Sequence, residues 1–255
     1  MHPLLAKYLS LDVAIDTLYR DELGQVLKAD ERPFAQVAKA HPQKRAAVLG
    51  SRGKKQVSPE IERAQVFLAA QAVVVSLRDD AELGPSLSQA RIALADEGAT
   101  EEQVEELFAS LVLEEAFGDP EGEADEPFDR TYFDEGLKTL GALAQLTSPR
   151  VLELHQRFTA SADAAWSYAH KLAAQCLFDA AWSEGPAPMH HEHVDEALEA
   201  MHKKLSSADQ ARAAVAMKRL LAFLHQEKLI GSKRLTRLTR AVELAELGAA
   251  GARAH

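Results

Sequence analysis

β-Branched residues in this chain of 255 residues gather in essentially one run, QAVVVSL at 71–77. Strands are built from such residues and from aromatics, and aromatics make up only 6% of the chain. Elsewhere Ala, Leu, Glu, Gln, Lys and Arg dominate, all of them strong helix formers. The sequence therefore predicts an all-α fold. Even the one β-branched run sits inside SPEIERAQVFLAAQAVVVSL, where Ser58 is a capping residue and Pro59 suits a first helical position. The middle of that segment is apolar on every side, which predicts a central, enclosed helix.

Helix signals recur along the chain. A first helix is predicted over Ser10 to Lys28, with Leu11, Ile15, Leu18 and Val26 on one face. Shorter pieces follow at 33–40 and 42–49, and Gly50 ends the latter. GSRGKKQV (50–57) is basic, but it is not G-x-x-x-x-G-K-[ST] and no strand precedes it, so it predicts a surface loop. After Gly84-Pro85 a helix runs to about Glu97 and stops at Gly98. Thr100 to Gln103 then forms a T-x-x-Q capping box that opens a helix through Ala116. In the second half, helices are predicted at 131–146, from Ser148 through Trp182 with a break near Thr159–Ser161, and at 191–204, 207–229 and 232–247. Ser207 with Gln210 offers another capping box, and Ser232 another cap.

Between the halves lies an acidic stretch containing Pro and Gly, GDPEGEADEPFD. It lacks the alternating Asp/Asn ligands and central Gly of an EF-hand, and predicts a solvated linker. The organisation expected is thus a helical unit at 1–117, a linker at 118–130, a second helical unit at 131–248 and a flexible tail at 249–255. FLAAQAVVV (67–75) is similar to KLAAQCLFD (171–179), and EEQVEELF (101–108) to HEHVDEAL (191–198), in the same order. That suggests two pseudo-repeated helical halves, the second shortened.

Bulk properties bound the function. Hydrophobic residues at 47% and charged residues at 27% are those of a globular chain. A net charge of −10 disfavours general attraction to nucleic acid or anionic membranes. One cysteine, Cys176, excludes an intrachain disulfide framework and a CxxC redox pair. The N-terminal MHPLLAKYLSLDVAID has no basic leader, and no apolar run approaches the ~20 residues that span a bilayer. A cytoplasmic location without membrane contact is the expectation.

VSPEIERAQVFLAAQAVVVSL followed by ALADEGATEEQVEELFASLVLEEAF resembles the carboxymuconolactone decarboxylase and alkylhydroperoxidase-D (AhpD-like) family over about residues 33–117, best at Gly98-Ala99-Thr100 and Glu101–Leu107. The resemblance implies that helical fold, and assembly into oligomers. In the peroxidase members a C-x-x-C-x-x-x-H segment precedes the turn. Counted back from Gly98, its places hold Leu83, Ser86 and Ala90. The upstream acidic position falls on Glu62 or Glu82, depending on a gap. Peroxidase chemistry needs a low-pKa thiolate and a resolving thiol, and the decarboxylase branch needs an acid–base imidazole. Neither survives in this segment. The resemblance carries the fold and not the activity.

Three other places invite chemistry. In MHHEHVDEALEAMHKK, the residues His191, Asp195, Glu199 and His202 fall within about 80° of arc on a helix. Glu199 to His202 has the E-x-x-H spacing of carboxylate-bridged metal sites, so Zn or Fe would be the cofactor if this helix served a metal-dependent enzyme; no second E-x-x-H exists to complete such a site, and solvated histidines are the plainer account. Cys176 lies in apolar LAAQCLF, with no cation at helical contact spacing, and reads as a small hydrophobe. His155 and His170, earlier in the same half, read as buried hydrogen-bonded histidines.

From Lys203 to Arg240 ten basic residues face only Asp209 and Glu227. KLIGSKRLTRLTRAVELAEL has the outline of a helix-turn-helix, with Leu235, Leu238 and Val242 inward. Lys233, Arg237 and Arg240 would touch phosphates in a DNA-associated regulator. The opposing account pairs this basic face with an acidic one, such as 114–135, in the same chain or a neighbouring subunit. The leading expectation is a non-redox, non-catalytic helical protein, with no cofactor, acting through oligomer or protein-partner contacts.

Overall fold

Among the residues described, the chain folds into thirteen α-helices and no strand, the all-α architecture that the composition predicts. The computed structural model describes residues 1–54, 56–118, 127–162, 165–183, 185, 187–206 and 209–253. They fall into two compact units, one of residues 1–117 with 127–130 and one from Thr131 onward. Most of the acidic stretch 118–130 lies outside the described residues. Among the described helices none is long and apolar enough to cross a membrane.

The first unit contains α1 (Pro3–Tyr8), α2 (Leu11–Glu22), α3 (Arg32–Ala40), α4 (Pro42–Leu49), α5 (Pro59–Leu77), α6 (Leu83–Asp96) and α7 (Glu101–Phe117). Helix α5 is its centre. Leu68, Ala69, Ala70, Ala72, Val73 and Val74 are all buried, because α1, α3, α4 and α7 cover the helix from different sides. A helix apolar all round has no face to leave in water. Two glutamines interrupt that apolar surface, and both are buried and bonded. Gln65 donates to the carbonyls of Tyr8 and Leu9, at 2.9 Å each, where the end of α1 leaves carbonyls without intrahelical partners. Gln71 donates to the carbonyl of Glu105 in α7. Buried amides left unpaired would cost about 1–3 kcal/mol each; paired, they set the register of α5 against α1 and α7.

The first helical stretch differs from its sequence pattern. Helix α2 stops at Glu22, and Gly24 takes φ +68° just beyond it. Val26, expected on the buried face, is 90% exposed. The separate helix α1 was not visible as a periodic pattern: it is six residues long, and the His2 ring caps it by accepting from the Leu4 N–H at 3.2 Å. In contrast the capping box of α7 forms as its residues predict. The Thr100 N–H donates to the Gln103 side chain at 2.8 Å, and the Gln103 N–H to the Thr100 hydroxyl at 3.3 Å.

The loop between α2 and α3 is held by one carboxylate. Glu31 is 3% exposed and accepts two N–H groups of Arg20, at 2.8 and 3.1 Å, with the Lys28 backbone N–H at 2.9 Å. The Arg20 guanidinium holds the Glu31 carboxyl down to about 2 against the opposing effect of burial, from an ordinary 4.5. Ionised Glu31 therefore contributes stability that is complete above about pH 4.5 and is lost as pH falls through about 2. Glu31→Gln is expected to cost about 1–3 kcal/mol at pH 7, read by urea unfolding, with the two proteins converging in that acid window. A variant as stable as the parent at pH 7 would contradict this account of the loop.

The second unit contains α8 (Arg130–Ala144), α9 (Ser148–Ala160), α10 (Ser167–Trp182), α11 (His191–Lys204), α12 (Gln210–Gln226) and α13 (Ser232–Arg253). Helix α10 packs against α9, α11 and α12, and α13 lies on α11 and α12. Phe158, Leu177, Val194, Met201, Leu221, Leu238 and Val242 belong to its core. The break between α9 and α10 follows Ala160, where Thr159–Ser161 predict it. Ser207 lies outside the described residues, and α12 opens at Gln210, with the Ser206 hydroxyl donating to Asp209 at 2.6 Å. Helix α13 continues to Arg253, into the stretch 249–255 expected as a tail.

The segments that resemble each other are α5 with α10 and α7 with α11, and in each unit the two helices pack together. Their environments differ at the matched glutamines: Gln71 is buried and Gln175 is exposed.

Candidate functional site

Helix α5 ends at Leu77, and the chain turns into α6 within a few residues. Asp80 makes that turn: its carboxylate accepts the N–H groups of Glu82 and Leu83 at 2.9 and 3.0 Å. Arg130, bonded to Asp80 at 2.6 Å, is the main reason the Asp80 carboxyl titrates well below the usual range. Gly84 is obligatory here, since a Cβ would lie 2.4 Å from the Arg78 carbonyl oxygen. At the other end of α6, Gly98 adopts φ +88° and redirects the chain into α7.

The positions left by the absent C-x-x-C-x-x-x-H pattern form a closed wall. Leu83 and Ala90 are 2% and 5% exposed, and Ser86 is half-buried. Glu62 projects into solvent from the first turn of α5, and Glu82 is bound by Arg130 at 3.0 Å. Among the described residues none of these positions belongs to a group of three or more His, Cys, Asp or Glu side chains placed to hold a metal.

The adjoining face of α6 is open. Leu87, Ser88, Arg91 and Ile92, with Val74 of α5, Arg78 just past its end and Phe108 of α7, line a cavity of about 420 Å³. Its body is apolar and its mouth carries two guanidinium groups. Arg91 pairs with Glu101, whose side chain is 63% exposed, and lies 5.7 Å from the Phe108 ring centre. Burial and then the nearby Arg78 charge lower the Arg91 pKa, with Glu105 opposing them. Glu105 is itself engaged by His41, at 3.2 Å. Among the described residues no carboxylate lies within ion-pair distance of Arg78. Two other cavities lack such unspent charge. In one of about 370 Å³, Arg150 and Arg157 converge on Glu227. In the other, of about 540 Å³, the His190 and His193 side chains are spent capping α11.

The chain matches no family model, no curated protein and no solved structure. The site rests on its own geometry.

The remaining sequence candidates sit as follows. His191, Asp195, Glu199 and His202 share one side of α11, but Glu199 pairs with Lys203 at 2.7 Å. Among the described residues no three His, Cys, Asp or Glu side chains come together as a metal-holding group. The E-x-x-H spacing places donors on one helix and brings no carboxylate from another. His170 is 3% exposed, stacked on Phe158 at 4.6 Å, with an Arg219 nitrogen 3.4 Å from its Nε2. The basic segment is engaged within its own unit. The Lys233 N–H donates to Glu135 at 2.9 Å, Arg237 lies 4.0 Å from the Tyr132 ring centre, and Arg240 reaches Glu243 at 3.4 Å. Glu135 lies at the end of the stretch 114–135, but it accepts the Lys233 backbone N–H and not a basic side chain. The 50–55 segment forms a turn, with the Ser51 hydroxyl donating to the Val48 carbonyl at 2.6 Å; Lys55 lies outside the described residues.

Sequence spacing missed one neighbour of Cys176. The Lys204 amine, arriving from α11, stands 4.0 Å from its sulfur. Burial pushes the thiol pKa up, and Lys204 offsets this only in part. At 4% exposure, Cys176 is expected to react with a maleimide at pH 8 at least about tenfold more slowly than free cysteine, and to speed up in urea. Labelling at the free-cysteine rate in the folded protein would contradict that placement.

Proposed function

We propose that this chain is a non-redox, non-catalytic helical protein whose work is binding, on a framework of the carboxymuconolactone decarboxylase and AhpD-like kind. One observation carries the proposal: the wall that would hold reactive groups in such a framework is closed by Leu83 and Ala90, while the neighbouring face of α6 opens into a cavity with no nucleophile beyond a serine hydroxyl. That hydroxyl donates to the Gly84 carbonyl at 3.0 Å, and no histidine lines the cavity to activate it. A thiol peroxidase requires an accessible thiolate and a second thiol to resolve the sulfenic acid. The chain has one thiol, and it is buried. Acid–base decarboxylation requires a group that gives and takes a proton near neutrality, and arginine does neither.

The test is a turnover assay on the purified full chain. With hydrogen peroxide or an organic hydroperoxide and a dithiol reductant, consumption should not exceed that of the buffer, and a lactone carboxylate should be recovered unchanged. Rapid, saturable turnover of any of these would overturn the proposal. The framework resemblance also implies assembly with itself or a partner, for which sedimentation velocity should show a multimer at micromolar concentration. A monomer at every concentration would remove that part.

A further inference from the structure

We propose that the cavity between α5, α6 and α7 binds a small organic carboxylate with an apolar body, its charge held by Arg78 and Arg91. This rests on the binding function proposed above and supplies its ligand class. The cavity volume of about 420 Å³ falls in the usual range for small-molecule sites, about 300–1,000 Å³. Its apolar floor is Val74, Leu87 and Phe108, which are 1%, 4% and 1% exposed, and Ile92, at its edge, is 61% exposed.

Charge decides what such a ligand must carry. Arg78 and Arg91 line the same cavity, and like charges placed together repel. Arg91 gives one N–H to a solvent-washed Glu101, and an exposed pair of that kind contributes about 0–1 kcal/mol. The nearest further carboxylate, Glu105, is turned to His41. Among the described residues Arg78 has no ion-pair partner. An incoming anion therefore meets one uncommitted guanidinium and one that is only partly committed. A planar carboxylate matches the guanidinium fork in two parallel hydrogen bonds. A bare phosphate would match the charge but leave the apolar walls uncovered.

Isothermal titration of the full chain tests this with octanoate, octanamide and inorganic phosphate as probes. Octanoate should bind once per chain with Kd below about 1 mM. The uncharged amide should bind at least about tenfold more weakly, and phosphate not at all. Arg78→Gln changes an exposed side chain, so it should keep the parent helicity and melting temperature while weakening octanoate about tenfold and leaving octanamide as it was. Ser88→Phe fills the cavity from an exposed helical position and should weaken both organic probes. The site is overturned if octanoate shows no saturable heat up to about 10 mM, if amide or phosphate binds as well as octanoate, or if either folded variant binds octanoate like the parent. Turnover of peroxide or lactone would sink the non-catalytic proposal and leave this titration to stand or fall separately.

Discussion

Enclosure of α5 is the constraint on which the first unit depends. A helix with no polar face is stable only when every side is covered, and four neighbours do that here. The hydrophobic gain alone is non-directional. Direction comes from Gln65 and Gln71, which are buried among alanines and valines and find carbonyls on α1 and α7. Rotating or sliding α5 would strand both amides, so the same residues that interrupt the apolar surface make one packing better than its competitors.

The cavity is a consequence of that arrangement. Because α5 is fixed, the place where it ends is fixed, and the turn braced by Asp80 and Gly84 starts α6 at a set angle from Arg78. Gly98 and the Thr100–Gln103 box then set α7 on the far side. Three helix ends determined by local chemistry leave a gap lined by their outer faces. The small side chain of Ser88 leaves it unfilled. The turns that fix these helices thus also shape the cavity proposed as a binding site.

What was legible in the residues was whatever is encoded locally. The Ser58-Pro59 start, the stop at Gly98 and the Thr100 box are signals within a few positions, and α5, α6 and α7 follow from them. The exit from α2 was misjudged because Val26 keeps the helical spacing while Gly24 leaves the helix, and periodicity cannot see a positive φ. The site was less legible. Arg78 follows the end of α5 and Arg91 lies on α6 with no motif linking them, and Lys204 meets Cys176 only through tertiary packing. The spacing of His191, Asp195, Glu199 and His202 was read correctly as one helical side, yet spacing on one helix says nothing about donors from a second. For the basic segment, counting charge says nothing of the bond that Glu135 makes, since it accepts the Lys233 backbone N–H and not its amine.

Native-state hydrogen exchange tests the central claim, that an enclosed α5 holds the first unit together, most directly. Amides from Ala64 to Val74 should exchange last in that unit, at the rate set by its global unfolding, while those of α2 and the solvent-facing turns of α6 exchange through local opening. If the α5 amides exchanged as fast as those of α2, the helix would not be the core described here, and the turns and cavity derived from it would lose their foundation.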